Sequence, residues 1–430
     1  MYTNYKINWL NIIFISEFQS YLNTGTIKEI SLLSKVAREK LKHLVFIKLK
    51  VSKSNLDYSK NNIIIESYKP PELKNYDSSV FEDSKYHGID SVLNDFAIAV
   101  RDIKKFSKSL QFCSFGRPGI YLFPFISIFD NLTDLQLSRD VMIPHSGFVK
   151  LGESLINLTH IKLSACLYKL PTENFSPKDY IFPPNLKYLE IFDNRFFTIS
   201  TISNHKFIIQ RDYADYLVDY FKLPKISIPS LRDLVFHFFI GIDLGLKDFL
   251  EVNPNLKSLS IRSYNLNFVE ELNNSDQISI LKYIEFFHIV VNMSENFEKI
   301  KKLCLVYTNL EGIHIEADCI AYNSEELMDS KLMPIISNLN HLKTLKLDIT
   351  LKDKYLNLTK LSNIEKLVLK TQDIVILNLD FINCKKLKKV VFNSNNFAVN
   401  TKEYRDKFNG YKNWIFKFSQ FSIKGFKLNQ

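Results

Sequence analysis

Histidine and cysteine are the residues best suited to metal or nucleophile chemistry, and this 430-residue chain has nine and five of them. Their spacing builds no site. His314 and Cys319 are close in sequence, yet a structural zinc needs four ligands and no second pair completes the set. Cys113, Cys166, Cys304, Cys319 and Cys384 are scattered, odd in number and never arranged C-x-x-C, the usage expected of reduced thiols in a cytoplasmic or nuclear protein. Gly241-x-x-x-Gly245-x-Lys247 misses the phosphate-loop spacing, and no HExxH or nucleophile elbow occurs. The sequence therefore assigns no catalytic residue, no metal ligand and no cofactor. What remains is the chemistry of recognition. Tyr188-x-Glu190-x-Phe192 and Tyr283-x-Glu285-x-Phe287 both alternate ring, acid, ring. Rings offer contact area that desolvates well, and a carboxylate between them selects a basic segment on a partner.

Those triplets are placed by a recurring phrase: an apolar residue, two variable residues, an apolar residue, one variable residue, a third apolar residue. Copies are Leu132/Leu135/Leu137, Leu158/Ile161/Leu163, Leu186/Leu189/Ile191, Leu231/Leu234/Phe236 and Leu256/Leu259/Ile261. Five more are Leu281/Ile284/Phe286, Leu310/Ile313/Ile315, Leu342/Leu345/Leu347, Ile364/Leu367/Leu369 and Leu387/Val390/Phe392. Successive copies start 22 to 32 residues apart, except for one step of 45 between Leu186 and Leu231, which holds either an insertion or a degenerate repeat. A period in this range marks leucine-rich repeats. The expected fold is α/β: a solenoid with parallel strands on its concave face, helices or irregular segments on its convex face, and a small helical module in front. The phrase residues should point into the stack, leaving the two triplets, and further on Lys346, Lys366, Lys370 and Lys389, on the concave sheet surface. Asn194, Cys166 and Asn395 follow their phrases where a turn residue is expected.

Residues 5–50 read as a separate helical module. Trp9, Leu10, Ile13, Phe14, Phe18, Tyr21 and Leu22 have helical spacing, Asn23-Thr24-Gly25 interrupts it, and Thr26 with Glu29 suggests a capping box for a second helix. Leu44 to Leu49 looks like a strand. Residues 51–127 read as a connecting segment with degenerate first repeats and helical periodicity over Ser91 to Leu110; residues 128–397 hold the repeats, and 398–430 a basic C-terminal cap. Of the formal charge of +10, Lys385 to Gln430 carry +9, with ten Lys and one Arg against Glu403 and Asp406. A solvated solenoid end is the default for such a run; a nucleic-acid surface ranks below a protein partner. The richest apolar stretch, Leu234 to Leu250, is interrupted by His237, Asp243, Lys247 and Asp248, so no membrane span is expected.

The repeat phrases resemble the ribonuclease-inhibitor-like branch of leucine-rich repeat proteins, over about 270 residues from Ile128 to Phe397. The N-terminal module resembles an F-box: an apolar helix ending in Tyr21-Leu22, then Ile30-Ser31-Leu32-Leu33-Ser34-Lys35-Val36 and a basic turn with Arg38 and Leu41. Asn8-Trp9-Leu10 stands where that family usually has Leu-Pro, and Val36-Ala37 where it has Cys-Lys or Cys-Arg. The resemblance implies a non-catalytic substrate receptor of a cullin-RING (SCF-type) ubiquitin ligase. Trp9, Leu10, Ile13, Phe14, Leu32 and Leu33 would then meet its Skp-type adaptor. Tyr188, Glu190, Phe192, Tyr283, Glu285 and Phe287 would meet the protein substrate. The alternative is a leucine-rich repeat scaffold or GTPase-regulatory protein with no ubiquitin role.

Overall fold

All thirty residues of the ten phrases are buried, none more than 3% exposed. In each phrase the last two lie on the inner face of a short strand and the first just before it, in a computed structural model of the chain, which describes residues 12–52, 98, 100–113, 123–169, 172–192, 194–198, 217–237, 244–263, 266–267, 281–289, 293–307, 309–317, 333–349, 363–371, 376, 381, 384–394 and 398–428. The architecture is mixed α/β, with mostly parallel sheets that do not close into a barrel.

In chain order the elements are helices α1 (Ser16–Ser20), α2 (Thr24–Leu32) and α3 (Lys35–Val45), then strands β1 (Lys48–Ser52), β2 (Ser109–Cys113) and β3 (Asp134–Pro144), helix α4 (His145–Val149) and β4 (His160–Lys169). Next come β5 (Tyr188–Phe192), β6 (Arg195–Thr198), β7 (Leu217–Tyr220), β8 (Asp233–His237), helix α5 (Leu246–Glu251), β9 (Ser258–Arg262) and β10 (Tyr283–Ile289). Then follow α6 (Met293–Val306), β11 (Gly312–Ala317), α7 (Met333–Ser337), β12 (Thr344–Ile349), β13 (Lys366–Thr371) and β14 (Lys389–Ser394), and last α8 (Lys402–Asn409), β15 (Trp414–Ser419) and β16 (Ser422–Lys427). Two compact units result, one of residues 1–187 and 194–221, the other of 188–193 and 222–430.

In the first unit β1, β2, β3 and β4 pair in parallel, with Leu49, Leu110, Leu135 and Ile161 in one row. Strands β1 and β2 precede the start expected near Ile128, and β2 falls within the expected connecting segment. The phrase is present there in disguise: Ser107, fully buried, holds the place of the first leucine ahead of Leu110 and Phe112, and its hydroxyl donates to the Ile103 carbonyl at 3.2 Å. Ile98, Val100 and Arg101 are helical and Lys104–Phe106 form a 3-10 turn, but Leu110 lies in a strand, so the expected helical periodicity holds in part and ends before Ser109. Residues 53–97 lie outside the described residues.

The N-terminal module differs in its caps. Asn23, not Thr26, caps α2: its Oδ1 accepts the Thr26 N–H at 2.9 Å, and Thr24 and Gly25 fall inside the helix instead of interrupting it. Asparagine in extended backbone reaches the third free N–H of a helix, leaving Thr26 in the first turn. Ser34 caps α3 in the same way, accepting from the Ala37 N–H at 3.0 Å. Helix α3 continues through Leu44 and Val45, which were expected in a strand; Lys42 and His43 in its last turn oppose the negative end of the helix dipole.

In the second unit β5, β8, β9, β10, β11, β12, β13 and β14 run parallel in that order. Because β5 pairs directly with β8, the 45-residue step holds an insertion: β6 and β7 pair antiparallel with each other. The C-terminal residues form α8 and the β15–β16 hairpin, with β16 antiparallel to β14. Phe381, Phe392, Phe408, Tyr411, Trp414 and Phe416 pack there as one aromatic cluster.

One device sets the register in both units. The carbonyl just before most of the repeat strands accepts two N–H groups from the next repeat: Ile47 from Lys108 and Ser109, Lys108 from Thr133 and Asp134, Lys282 from Glu311 and Gly312, Glu311 from Lys343 and Thr344, Glu365 from Lys388 and Lys389. Buried backbone groups at strand entry are thereby satisfied whatever the length of the intervening loop. Between strands, Asn253 has a related role: its Oδ1 accepts the Ile228 N–H and its Nδ2 donates to the carbonyls of Ile226 and Phe249. Asn194 Oδ1 accepts the Ala165 N–H, as expected of a turn asparagine. Cys166 is not a turn residue; it lies inside β4, paired with Met142 and Arg195. Asn395 lies outside the described residues.

Candidate interaction surfaces

Strands expose every second side chain, so burying Leu189 and Ile191 turns Tyr188, Glu190 and Phe192 to the other face of the second unit's sheet, where all three are half-buried. The register carries this face across the strands. Tyr188, Asp233, Ser258, Tyr283 and Gly312 form one row. Glu190, Val235, Ser260, Glu285, His314 and Lys346 form the next. Phe192, His237, Arg262 and Phe287 form a third. The two triplets thus occupy the same three rows, three strand steps or about 14 Å apart, with the short side chains of Ser258 and Ser260 between them. The side chain of Phe287 lies outside the described residues.

Within the first triplet Tyr188 Oη donates to Glu190 Oε2 at 2.7 Å. Burial, and then that bond, push the Tyr188 phenol far above its usual range, so it stays a neutral donor. The Phe192 ring lies 4.3 Å from the His237 ring, centroid to centroid. In the second triplet Tyr283 is 44% exposed and lies across the next strand at Gly312, where a Cβ would come within 2.4 Å of Tyr283 Cδ1. Glycine leaves that seat empty. Glu285 Oε1 is 3.6 Å from His314 Nδ1; the neighbouring His314 holds this carboxyl below its ordinary value against the effect of burial, with Lys346 and Ser260 acting in the same direction. The expected residues thus come together on one face, joined by Arg262 and His314. Arg262 sits one residue past its phrase, where Phe192 and Phe287 also sit.

The second surface is the N-terminal module. Ile27, Ala37 and Leu41 fill its interior, while Leu32 is 70% and Leu33 75% exposed. Val36 (56%) joins them around the α2–α3 junction, and Ile15 (48%), Phe18 (38%) and Tyr21 (86%) recur every third residue along α1. Ile13 and Phe14 are only half-buried, with Lys40 Nζ 5.9 Å from the Phe14 ring. Trp9 and Leu10 lie outside the described residues. Ile15, Phe18, Tyr21 and Val36 join this surface in addition to the residues expected from the sequence.

Three titratable groups elsewhere, His145, Tyr180 and Cys304, are buried. His145 Nε2 is 2.8 Å from Tyr180 Oη, with Phe175 and Phe196 edge-on to the imidazole. Burial first, then Lys169, lowers this histidine to about 4, and burial raises Tyr180 to about 12. Cys304 faces a small cavity beside Lys301, Leu305 and His341, but burial pushes its thiol up to about 12, which leaves no thiolate for nucleophilic attack. Among the described residues no group of three or more His, Cys, Asp or Glu side chains could hold a metal, and no helix is long and apolar enough to cross a membrane. Cys319 lies outside the described residues. No protein-family model matches the chain, and no curated protein matches it.

Proposed function

We propose that the chain is a non-catalytic receptor that joins two proteins: a leucine-rich repeat solenoid whose strand-lined concave face takes a target, preceded by an F-box-like module that docks on the Skp-type adaptor of a cullin-RING ubiquitin ligase. Its work is tethering, since holding a target near a transferase raises the effective concentration of the reacting groups without any chemistry in the receptor. The observation that carries the reading is the apolar surface of the N-terminal helices. Six large apolar side chains between Ile15 and Val36 are 38–86% exposed, a density that a solvated cap does not need and a partner would cover. The ring–acid–ring rows on the sheet face supply the second surface, with half-buried rings as anchors and Glu285 held ionised for a basic segment.

The test is co-purification of the full chain with a recombinant Skp-type adaptor. Leu32→Lys with Leu33→Lys should abolish the complex while leaving the melting temperature within about 2 °C, because both side chains already face solvent. No complex with the unaltered chain, or a complex indifferent to this pair, would leave the alternative of a scaffold or GTPase-regulatory protein without a ubiquitin role.

A further inference from the structure

The same sheet face changes character beyond β11. On β13 and β14 the outward positions read Lys366-Val368-Lys370 and Lys389-Val391-Asn393. Val368 and Val391 are register neighbours and half-buried, continued on either side in the same row by Lys346 of β12 and Lys424 of β16. Lys366 and Lys389 pair in the row above. Two valines are therefore flanked by five lysines, Lys346, Lys366, Lys370, Lys389 and Lys424. Lys370 is held by Asp348 at 2.6 Å, whereas no described carboxylate is within ion-pair distance of Lys366, Lys389 or Lys424. Lys389 instead lies 5.3 Å from the Phe426 ring.

We propose that this patch is a second docking site, for an acidic protein segment that carries one bulky apolar side chain between its carboxylates. Uncompensated lysines side by side repel one another, and a row step of about 4.8 Å keeps them within a Debye length, so bound carboxylates remove a standing repulsion. The valine pair gives the apolar side chain a surface to cover, and the lysines close around it as a polar rim. The centre is aliphatic and branched. A single-stranded nucleic acid would stack its bases on flat aromatic platforms, which the valine pair lacks. Charge complementarity calls for an anionic partner, and the aliphatic centre favours a peptide over a nucleic acid. The site lies on later strands than the two ring–acid–ring triplets, shares with them only Lys346, which continues the Glu285 row, and does not rest on the ligase reading.

The probe is a short fluorescein-labelled peptide with one leucine among glutamates and aspartates, titrated against the full chain by fluorescence anisotropy. Saturable binding is expected, weaker at physiological than at low salt. Lys366→Glu with Lys389→Glu should weaken it about tenfold or more, and replacing the peptide's leucine by alanine should weaken it about fivefold. The peptide substitution needs no change in the protein, and Lys424→Ala serves as a milder variant if the charge reversal disturbs folding. Absence of binding, binding indifferent to the lysine changes, or binding indifferent to the leucine would overturn the proposal. So would a single-stranded oligonucleotide of equal charge that competes as well as the peptide, which would assign the patch to nucleic acid.

Discussion

Leu259 is fully buried in β9, with Leu234 and Ile284 as its register neighbours, both no more than 1% exposed. Leu259→Ala removes three buried carbons and leaves a space that neighbours locked in a strand ladder cannot fill. The lost transfer energy and the cavity together should cost about 2–5 kcal/mol, a fall of roughly 4–20 °C in melting temperature for a unit of this size. Ser258→Ala, one residue away on the opposite face, should change stability by about 0.5 kcal/mol or less. The assay is urea unfolding followed by circular dichroism and by the fluorescence of Trp414 in a Trp9→Phe background. Trp414 lies in β15 at the far end of the ladder from β9. If neighbouring strands stabilise one another, both probes should shift together. Equal costs for Leu259→Ala and Ser258→Ala would refute the assignment of the inner face. A shift in circular dichroism without one at Trp414 would refute the coupling between strands.

Gly245 has φ of +80°, and a Cβ there would come within 2.4 Å of the Leu223 carbonyl oxygen, so Gly245→Ala should lower stability by about 1–3 kcal/mol in a thermal melt. His145 is lowered from 6.5 to about 4 in the fold. The unfolded chain therefore takes up this proton first as pH falls, and stability should decline from about pH 6.5 towards 4, more steeply than in His145→Phe when melts are run across that window. On a purified target complex, alanine at a true anchor among Tyr188, Phe192 and Tyr283 should cost about 2 kcal/mol or more of binding. Glu190→Gln and Glu285→Gln should have effects that fade with added salt, and unchanged affinity throughout would move the site off this face.

The repeat strands were legible because a buried face tolerates only apolar side chains and the phrase recurs often enough to fix which residues form it. Where the phrase used another chemistry it escaped notice: Ser107 satisfies its hydroxyl locally on Ile103, so a small polar residue could replace leucine and conceal β2. The cap of α2 was misplaced because Asn23 and Thr26 are both good capping residues, and backbone conformation rather than residue type chooses between them. The rows of the sheet face were foreseeable as outward positions. Their side-chain partners were not, because Tyr283 over Gly312 and Glu285 beside His314 depend on register between repeats 29 residues apart.

The paired N–H groups that meet at the carbonyl before most repeat strands, and the strand ladder itself, separate two things that most folds entangle. Loop length and side-chain position vary independently, as the direct pairing of β5 with β8 across a long insertion demonstrates. Outward side chains on the described repeat strands of the second unit therefore have an address, given by strand and row, up to the register shift after Phe286 in β10. Recognition on such a grid is rewritable one address at a time: an exchange at one position alters a single contact, and material added between strands changes the margins without moving any address.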